Sequence, residues 1–211
     1  MSGSSSIKIK RLIRFLNGWY GEIEWWPGSK VEVMMGAILT QQTRWENVER
    51  ALADLKKREL CSIDTIISAD IRHIEDAIRC TGFYHVKAKR LKSIANHIKN
   101  TYGSVDGMVN VSTGQLRTGL LDISGIGEET ADSILCYGLS RTSFVIDAYT
   151  ERIVRCIGIP EKRQDLKHLF EECLPKENHA YRQSHAHIVE YAKEFCTKKR
   201  CSDCILLSSN V

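Results

Sequence analysis

Proline is scarce, three in 211 residues, and no stretch alternates polar with apolar residues for long enough to pair into a sheet. A strand-based fold is excluded, and little stands in the way of helices. No apolar run reaches the ~18 residues that a membrane span needs, and residues 1–6 lack the apolar core of a secretory signal. An intracellular protein with no membrane partner is expected, cytoplasmic or nucleoid-associated, or nuclear in a eukaryote. Ser2–Ser6 reads as a disordered tail. In such a compartment the eight cysteines are buried thiols or metal ligands sooner than disulfides. The formal net charge is only +4, which does not by itself indicate nucleic acid.

Helical periodicity, in contrast, is everywhere. Apolar residues recur at i, i+3 and i+4 through residues 7–18, 30–41, 45–57, 63–69, 72–79, 86–101, 112–121, 128–139, 148–157, 164–173 and 180–195. The chain is read as all-α, and its 211 residues, 43% of them hydrophobic, can bury a core as one unit or two lobes. The charge is uneven: Lys87–Lys99 carries five Lys or Arg and no acid, and Lys193–Arg200 carries four against one Glu. A localised basic face supplies non-specific affinity for phosphates; a solvated helix face is the alternative.

The most informative stretch is residues 121–152. In Ser124-Gly125-Ile126-Gly127 the glycines permit positive φ and leave no Cβ in the way, so backbone N–H groups at the start of the next helix can approach an anion. Thr130, Ala131, Ile134, Leu135 and Gly138 then follow at helical spacing, and Phe144-Val145-Ile146 is a buried apolar run that delivers a single carboxylate, Asp147. Taken alone, Asp147 is a favoured N-cap for the helix at 148–157. Beside a phosphate-gripping turn it is also a candidate for chemistry on a sugar.

Hairpin, helix and Val145-Ile146-Asp147 together resemble the helix-hairpin-helix superfamily of DNA glycosylases, the endonuclease III type, over roughly residues 30–205. Two further segments carry the resemblance. Leu39-Thr40-Gln41-Gln42-Thr43 is similar to the segment whose Gln fills the space of an extruded nucleotide, with Gln42 the first choice and Gln41 beside it. Cys80–Leu91, with Gly82 turning the chain, is similar to a helix start at which Lys87, Lys89 and Arg90 would hold phosphates. The resemblance implies an all-α, two-lobed fold: a six-helix barrel at residues 28–141 with the hairpin motif at about 112–139, and a terminal lobe from residues 1–27 and 142–211. Duplex DNA with a damaged base would lie between the lobes and would touch Ser124, Gly125, Gly127 and Thr130. A monomer is expected, needing no cofactor, with at most a monovalent cation at the hairpin. Asp147 would stabilise the oxocarbenium-like sugar as the base leaves.

Departures from the pattern refine the expectation. Lyase members carry Lys where this chain has Glu129; a carboxylate cannot form a Schiff base, so a monofunctional glycosylase is expected. The adenine-mismatch branch carries a catalytic Glu where this chain has Ala37, and the thymine-mismatch branch usually has Tyr at the position of Glu129. Trp25, Trp26, Pro27 and Trp45, with Lys193 on the last long helix, are similar to the base pocket of the 3-methyladenine branch, whose aromatic faces suit a cationic purine. Mismatched, deaminated or oxidised bases are the alternative substrates, and a non-catalytic DNA-binding module is the alternative of another class. Cys196-x4-Cys201-x2-Cys204 resembles the superfamily's iron–sulfur loop with a shortened first gap and Asn210 near the fourth ligand position, so a loop without a cluster is expected. Cys61, Cys80, Cys136, Cys156 and Cys173 read mostly as core. His185 and His187, at i and i+2, do not share a helix face and are not expected to bind metal.

Overall fold

The computed structural model describes the backbone of residues 2–208 and the side chains of residues 3–206. Among the described residues the chain forms α1 (Ser2–Tyr20), α2 (Lys30–Leu39), α3 (Trp45–Lys57), α4 (Ile63–Ser68), α5 (Ile71–Ile78), α6 (Tyr84–Tyr102), α7 (Thr113–Leu121), α8 (Glu128–Ser133), α9 (Ala148–Cys156), α10 (Arg163–Cys173), α11 (Asn178–Tyr191) and α12 (Ile205–Ser208), with no strand. Two segments, Ile134–Gly138 after α8 and Ala192–Thr197 after α11, are π-helical. Two compact units result, Met1–Trp25 with Arg141–Val211, and Trp26–Ser140.

In the unit formed by Trp26–Ser140, α2 is the central element. Ser29 and Glu32 close a capping box at its start, which satisfies two of its orphan N–H groups. The seven residues Val33–Leu39 that follow are all buried, so the helix is enclosed on every side. Each fully buried Ile or Leu contributes roughly 1.5–3 kcal/mol, which makes α2 the energetic centre of the unit. The same core holds Val48, Ala51 and Leu55 of α3, Ile74 and Ile78 of α5, Leu91 and Ile98 of α6, Leu116 and Leu120 of α7, and Ala131 of α8. Ser62 and Ser112 cap α4 and α7 in the same reciprocal way, with Thr65 and Gln115 as partners.

A buried ion pair fixes the angle between α7 and α8. The Arg117 guanidinium donates to both Asp132 oxygens, at 2.9 and 3.1 Å, and to Glu128 at 3.3 Å, while Asp132 is only 2% exposed. Removing the cation breaks a buried ion pair, a loss worth about 3 kcal/mol or more. Arg117→Leu is therefore expected to lower the urea midpoint clearly, and Arg117→Leu/Asp132→Leu to recover much of it. Equal midpoints for wild type and the single variant would refute the role.

In the other unit α1 packs on α10 and α11. Its core holds Ile9, Leu12 and Leu16 of α1, and Phe144 stacks on Phe170 at 4.3 Å with planes 6° apart. Helix α1 corrects the sequence expectation of a disordered serine tail: it begins at Ser2, and the Ser5 hydroxyl is buried against Glu161. The apolar spacing of α1 extends far enough to order the serines that precede it. His187 also serves the fold, its ring nitrogens lying 3.0 Å from Asn17 Oδ1 and 2.7 Å from Gly21 O.

Candidate nucleic-acid interface and active site

The hairpin between α7 and α8 is pinned by Ile123 and Ile126, 7% and 5% exposed, and closed by a bond from Ile126 N to Ile123 O at 3.0 Å. Its glycines differ in role. Gly125 has φ +86° and lies against the Arg90 guanidinium, so any Cβ would collide with it. Gly127 does not use its freedom of positive φ: its φ is −93°, and a Cβ would meet nothing within 4 Å. It acts by leaving space, because it is the N-cap of α8 without a side-chain cap and exposes that helix start. Ser124 is exposed, whereas Thr130 is 7% exposed and its hydroxyl accepts from Gln41 Nε2 at 3.0 Å.

Beside the hairpin lies an open depression of about 540 Å³, lined by Gln41, Gln42, Phe83, Val86, Lys87, Arg90, Gly127, Glu129 and Thr130. Two of these residues are non-glycines in the left-handed region, Gln42 at φ +54° and Phe83 at φ +48°. Such backbone costs of the order of 1 kcal/mol and tends to be kept where a side chain must project. Both do project, Phe83 with 65% exposure. Gly82, at φ +67° with open space around it, turns the chain into α6 as the sequence suggests. Phe83 was not singled out in the sequence; the signal was an aromatic between that glycine and the charged helix.

Lys87 corrects another expectation. It is 1% exposed, and Nζ donates to Leu39 O at 2.9 Å and Thr81 O at 2.8 Å. Burial pushes its pKa down to about 8. The amine ties the end of α2 to the turn before α6 and does not hold phosphate. Lys89 is exposed and Arg90 half-buried.

The expected base-pocket residues fall in both units. In the Trp26–Ser140 unit the Trp26 ring meets Trp45 edge-on at 5.3 Å and Tyr137 at 5.2 Å, tilted 35°, while Pro27 is exposed. Trp26 itself has φ +55° and a buried Nε1 without a hydrogen-bond partner. Its indole rests on Gly36, where a Cβ would come within 3.1 Å of Nε1. Tyr137, unassigned in the sequence, belongs to the π segment after α8. In the other unit Lys193 Nζ lies 4.8 Å over the Trp25 ring and 2.9 Å from Glu190.

Asp147 is 9% exposed and caps α9, Oδ1 accepting from Thr150 N at 2.7 Å. Its other oxygen is 3.4 Å from Nε2 of His185, itself 5% exposed. Burial alone raises the carboxyl pKa, but the facing imidazole and the Thr150 bonds outweigh it and hold the pKa below the ordinary carboxylate value. The group is thus a carboxylate wherever the protein is folded near neutrality. The sequence weighed His185 only as a metal ligand; its partner lies 38 residues away along the chain, beyond any local motif.

Residues 35–176 match the family model of the HhH-GPD superfamily base excision DNA repair proteins. The chain belongs to that superfamily. It is 44% identical over 203 residues, 93% of its length, to a Methanocaldococcus jannaschii protein, covering 92% of a relative that is itself classed as a DNA repair glycosylase by inference. It is 25% identical to endonuclease III of Thermotoga maritima, over 82% of this chain and 79% of that one. Among solved structures, Helicobacter pylori 3-methyladenine DNA glycosylase bound to 1,N6-ethenoadenine superposes with a TM-score of 0.78 at 29% identity, covering 90% of this chain and 97% of that chain. An endonuclease III–DNA complex superposes with 0.80 at 16% identity, over 96% and 94%. This HhH-GPD glycosylase therefore shares the fold of DNA-bound relatives.

The superfamily's iron–sulfur loop is matched here by three cysteines in altered spacing, Cys196, Cys201 and Cys204. Cys204 is buried with its sulfur 3.4 Å from the Tyr191 hydroxyl, Cys201 is exposed and Cys196 is half-buried. Among the described residues no group of three or more His, Cys, Asp or Glu is arranged to hold a metal ion. Asn210, at the place of a fourth ligand, lies outside the described residues. Of the cysteines read as core, Cys136 is buried, Cys61, Cys80 and Cys173 are half-buried, and Cys156 is exposed at the end of α9.

Proposed function

We propose that this glycosylase removes an alkylated, cationic purine such as 3-methyladenine from duplex DNA and leaves an abasic site without cutting the backbone. The observation that carries the substrate class is the packing of Trp26 between Trp45 and Tyr137. Electron-rich rings attract a positively charged base by stacking and cation–π forces, worth about 0.5–2 kcal/mol per contact. The likeness to a 3-methyladenine glycosylase supports the same class. Such a base already leaves well, so the protein need supply little acid.

In this reading the hairpin backbone and Arg90's neighbourhood hold the phosphates, and Ser124, Gly125 and Gly127 keep the approach open. Gln42, with Phe83 on the same depression, enters the duplex and fills the space of the extruded nucleotide. Asp147, held ionised, stabilises the cationic sugar. Glu129 stands where a lyase would have its amine. One substrate panel tests all of this: duplexes with 3-methyladenine, 7-methylguanine, 1,N6-ethenoadenine, uracil, 8-oxoguanine and a G·T mismatch, with abasic sites revealed by hot alkali. Release from the alkylated or etheno purines is expected. Preferential release of uracil, thymine or 8-oxoguanine would move the chain to another branch, and binding without release would make it a module.

A further inference from the structure

We propose that Gln41 is a positioning residue that aims the Gln42 wedge by tying it to the phosphate-gripping hairpin; the proposal rests on the glycosylase reading above. The turn after α2 is poorly held by its own backbone, since Gln41 N reaches Ile38 O only at 3.4 Å and Thr43 N reaches Thr40 O only at 3.3 Å. Yet Gln42 sits in the middle of this turn at φ +54°, a conformation the backbone alone does not favour. Something else must hold it.

The Gln41 carboxamide does so. Nε2 donates to Gly125 O at 3.2 Å and to Thr130 Oγ1 at 3.0 Å, and Oε1 accepts from Arg90 Nη1. Both N–H groups and the carbonyl are engaged, so the side chain has no donor left for a base. The amide orientation is also determined: reversal would set its NH2 against a guanidinium and its oxygen against the Gly125 carbonyl. Arg90 reaches Gln41 by passing beneath Gly125, which only a glycine allows. One amide thus joins the end of α2, α6, the turn of the hairpin and α8. The two glutamines divide the work, Gln41 as anchor and Gln42 as wedge.

A residue that acts only through Gln42 has no effect once Gln42 is gone, which makes a double-mutant cycle decisive. The measurements are single-turnover base release and the fluorescence of 2-aminopurine next to a tetrahydrofuran abasic analogue, which reads insertion without needing chemistry. Gln41→Ala and Gln42→Ala are each expected to lower release and the fluorescence change by about tenfold or more, and the double variant to match Gln42→Ala within about twofold. Affinity for undamaged duplex stays within about threefold throughout, because phosphate contacts set it. Gln41→Glu keeps the Arg90 partner but sets an oxygen against Gly125 O, and is expected not to rescue. Should Gln41→Ala fold poorly, Thr130→Val removes one acceptor and must show the same dependence on Gln42. Multiplicative losses in the double variant, or an unaffected Gln41→Ala, overturn the proposal. If the wild type releases no base while the fluorescence cycle still closes as expected, it is the glycosylase reading that falls.

Discussion

Replacing Asp147 by asparagine is expected to slow base release by about two to three orders of magnitude while leaving the fold and duplex affinity in place. The substitution separates two roles that the structure gives to one side chain. As the N-cap of α9, Asp147 accepts from Thr150 N at 2.7 Å, and asparagine caps about as well. As a carboxylate facing His185 at 3.4 Å, it supplies a negative charge that an amide cannot. Loss of rate with the fold and the duplex affinity retained therefore reports the charge. Asp147→Ala, in contrast, should lose both, with about 1 kcal/mol of capping stability gone in addition. An Asp147→Asn protein that releases bases at the wild-type rate would end the mechanism.

The pH dependence follows from the same contacts. Because the folded-state pKa of Asp147 is depressed, its pairing stabilises the fold above the unfolded carboxylate value and is lost as pH falls through the folded value. The acid limb of base release that belongs to Asp147 should therefore lie below about pH 4. A limb near neutrality would have to come from another group, and in Asp147→Asn the limb at low pH should vanish.

Much of the scaffold was legible because helices declare themselves through local periodicity. The pattern at residues 45–57 coincides with α3, and that at 148–157 exceeds α9 by one residue. What escaped was structure that periodicity cannot distinguish. The spacing at 128–139 reads as one helix, yet Ile134–Gly138 is π-helical, and Tyr137 within it lies against Trp26 at 5.2 Å. The direction of a charged side chain is equally silent: Lys87 lies in a basic run but buries its amine on two carbonyls. Neighbouring glutamines differ only in what the hairpin, some 85 residues on, offers to the first of them. Motifs pick out the elements that carry the candidate residues, and tertiary hydrogen bonds distinguish neighbours within each motif.

The second large effect concerns the backbone of the DNA. Wild-type protein is expected to give no covalent adduct when damaged duplex is treated with sodium borohydride, and Glu129→Lys is expected to give one. Glu129 is exposed as the second residue of α8, on the depression shared by Gln42 and Gly127. A carboxylate there gains a few tenths of a kcal/mol from the helix start, so its replacement should hardly affect stability while introducing an amine that can attack the sugar. Lys87 lines the same depression, and burial lowers its pKa to about 8, which for an exposed amine would favour nucleophilic attack. Its nitrogen is instead held by Leu39 O and Thr81 O. Leaving them would strand two buried carbonyls, each costing about 1–3 kcal/mol. Borohydride trapping of the wild type, abolished in Lys87→Met, would show that this barrier is crossed and that the protein is a lyase by an internal amine. Absence of trapping in the wild type together with adducts in Glu129→Lys would establish that the chemistry stops at the abasic site for want of one correctly placed nitrogen.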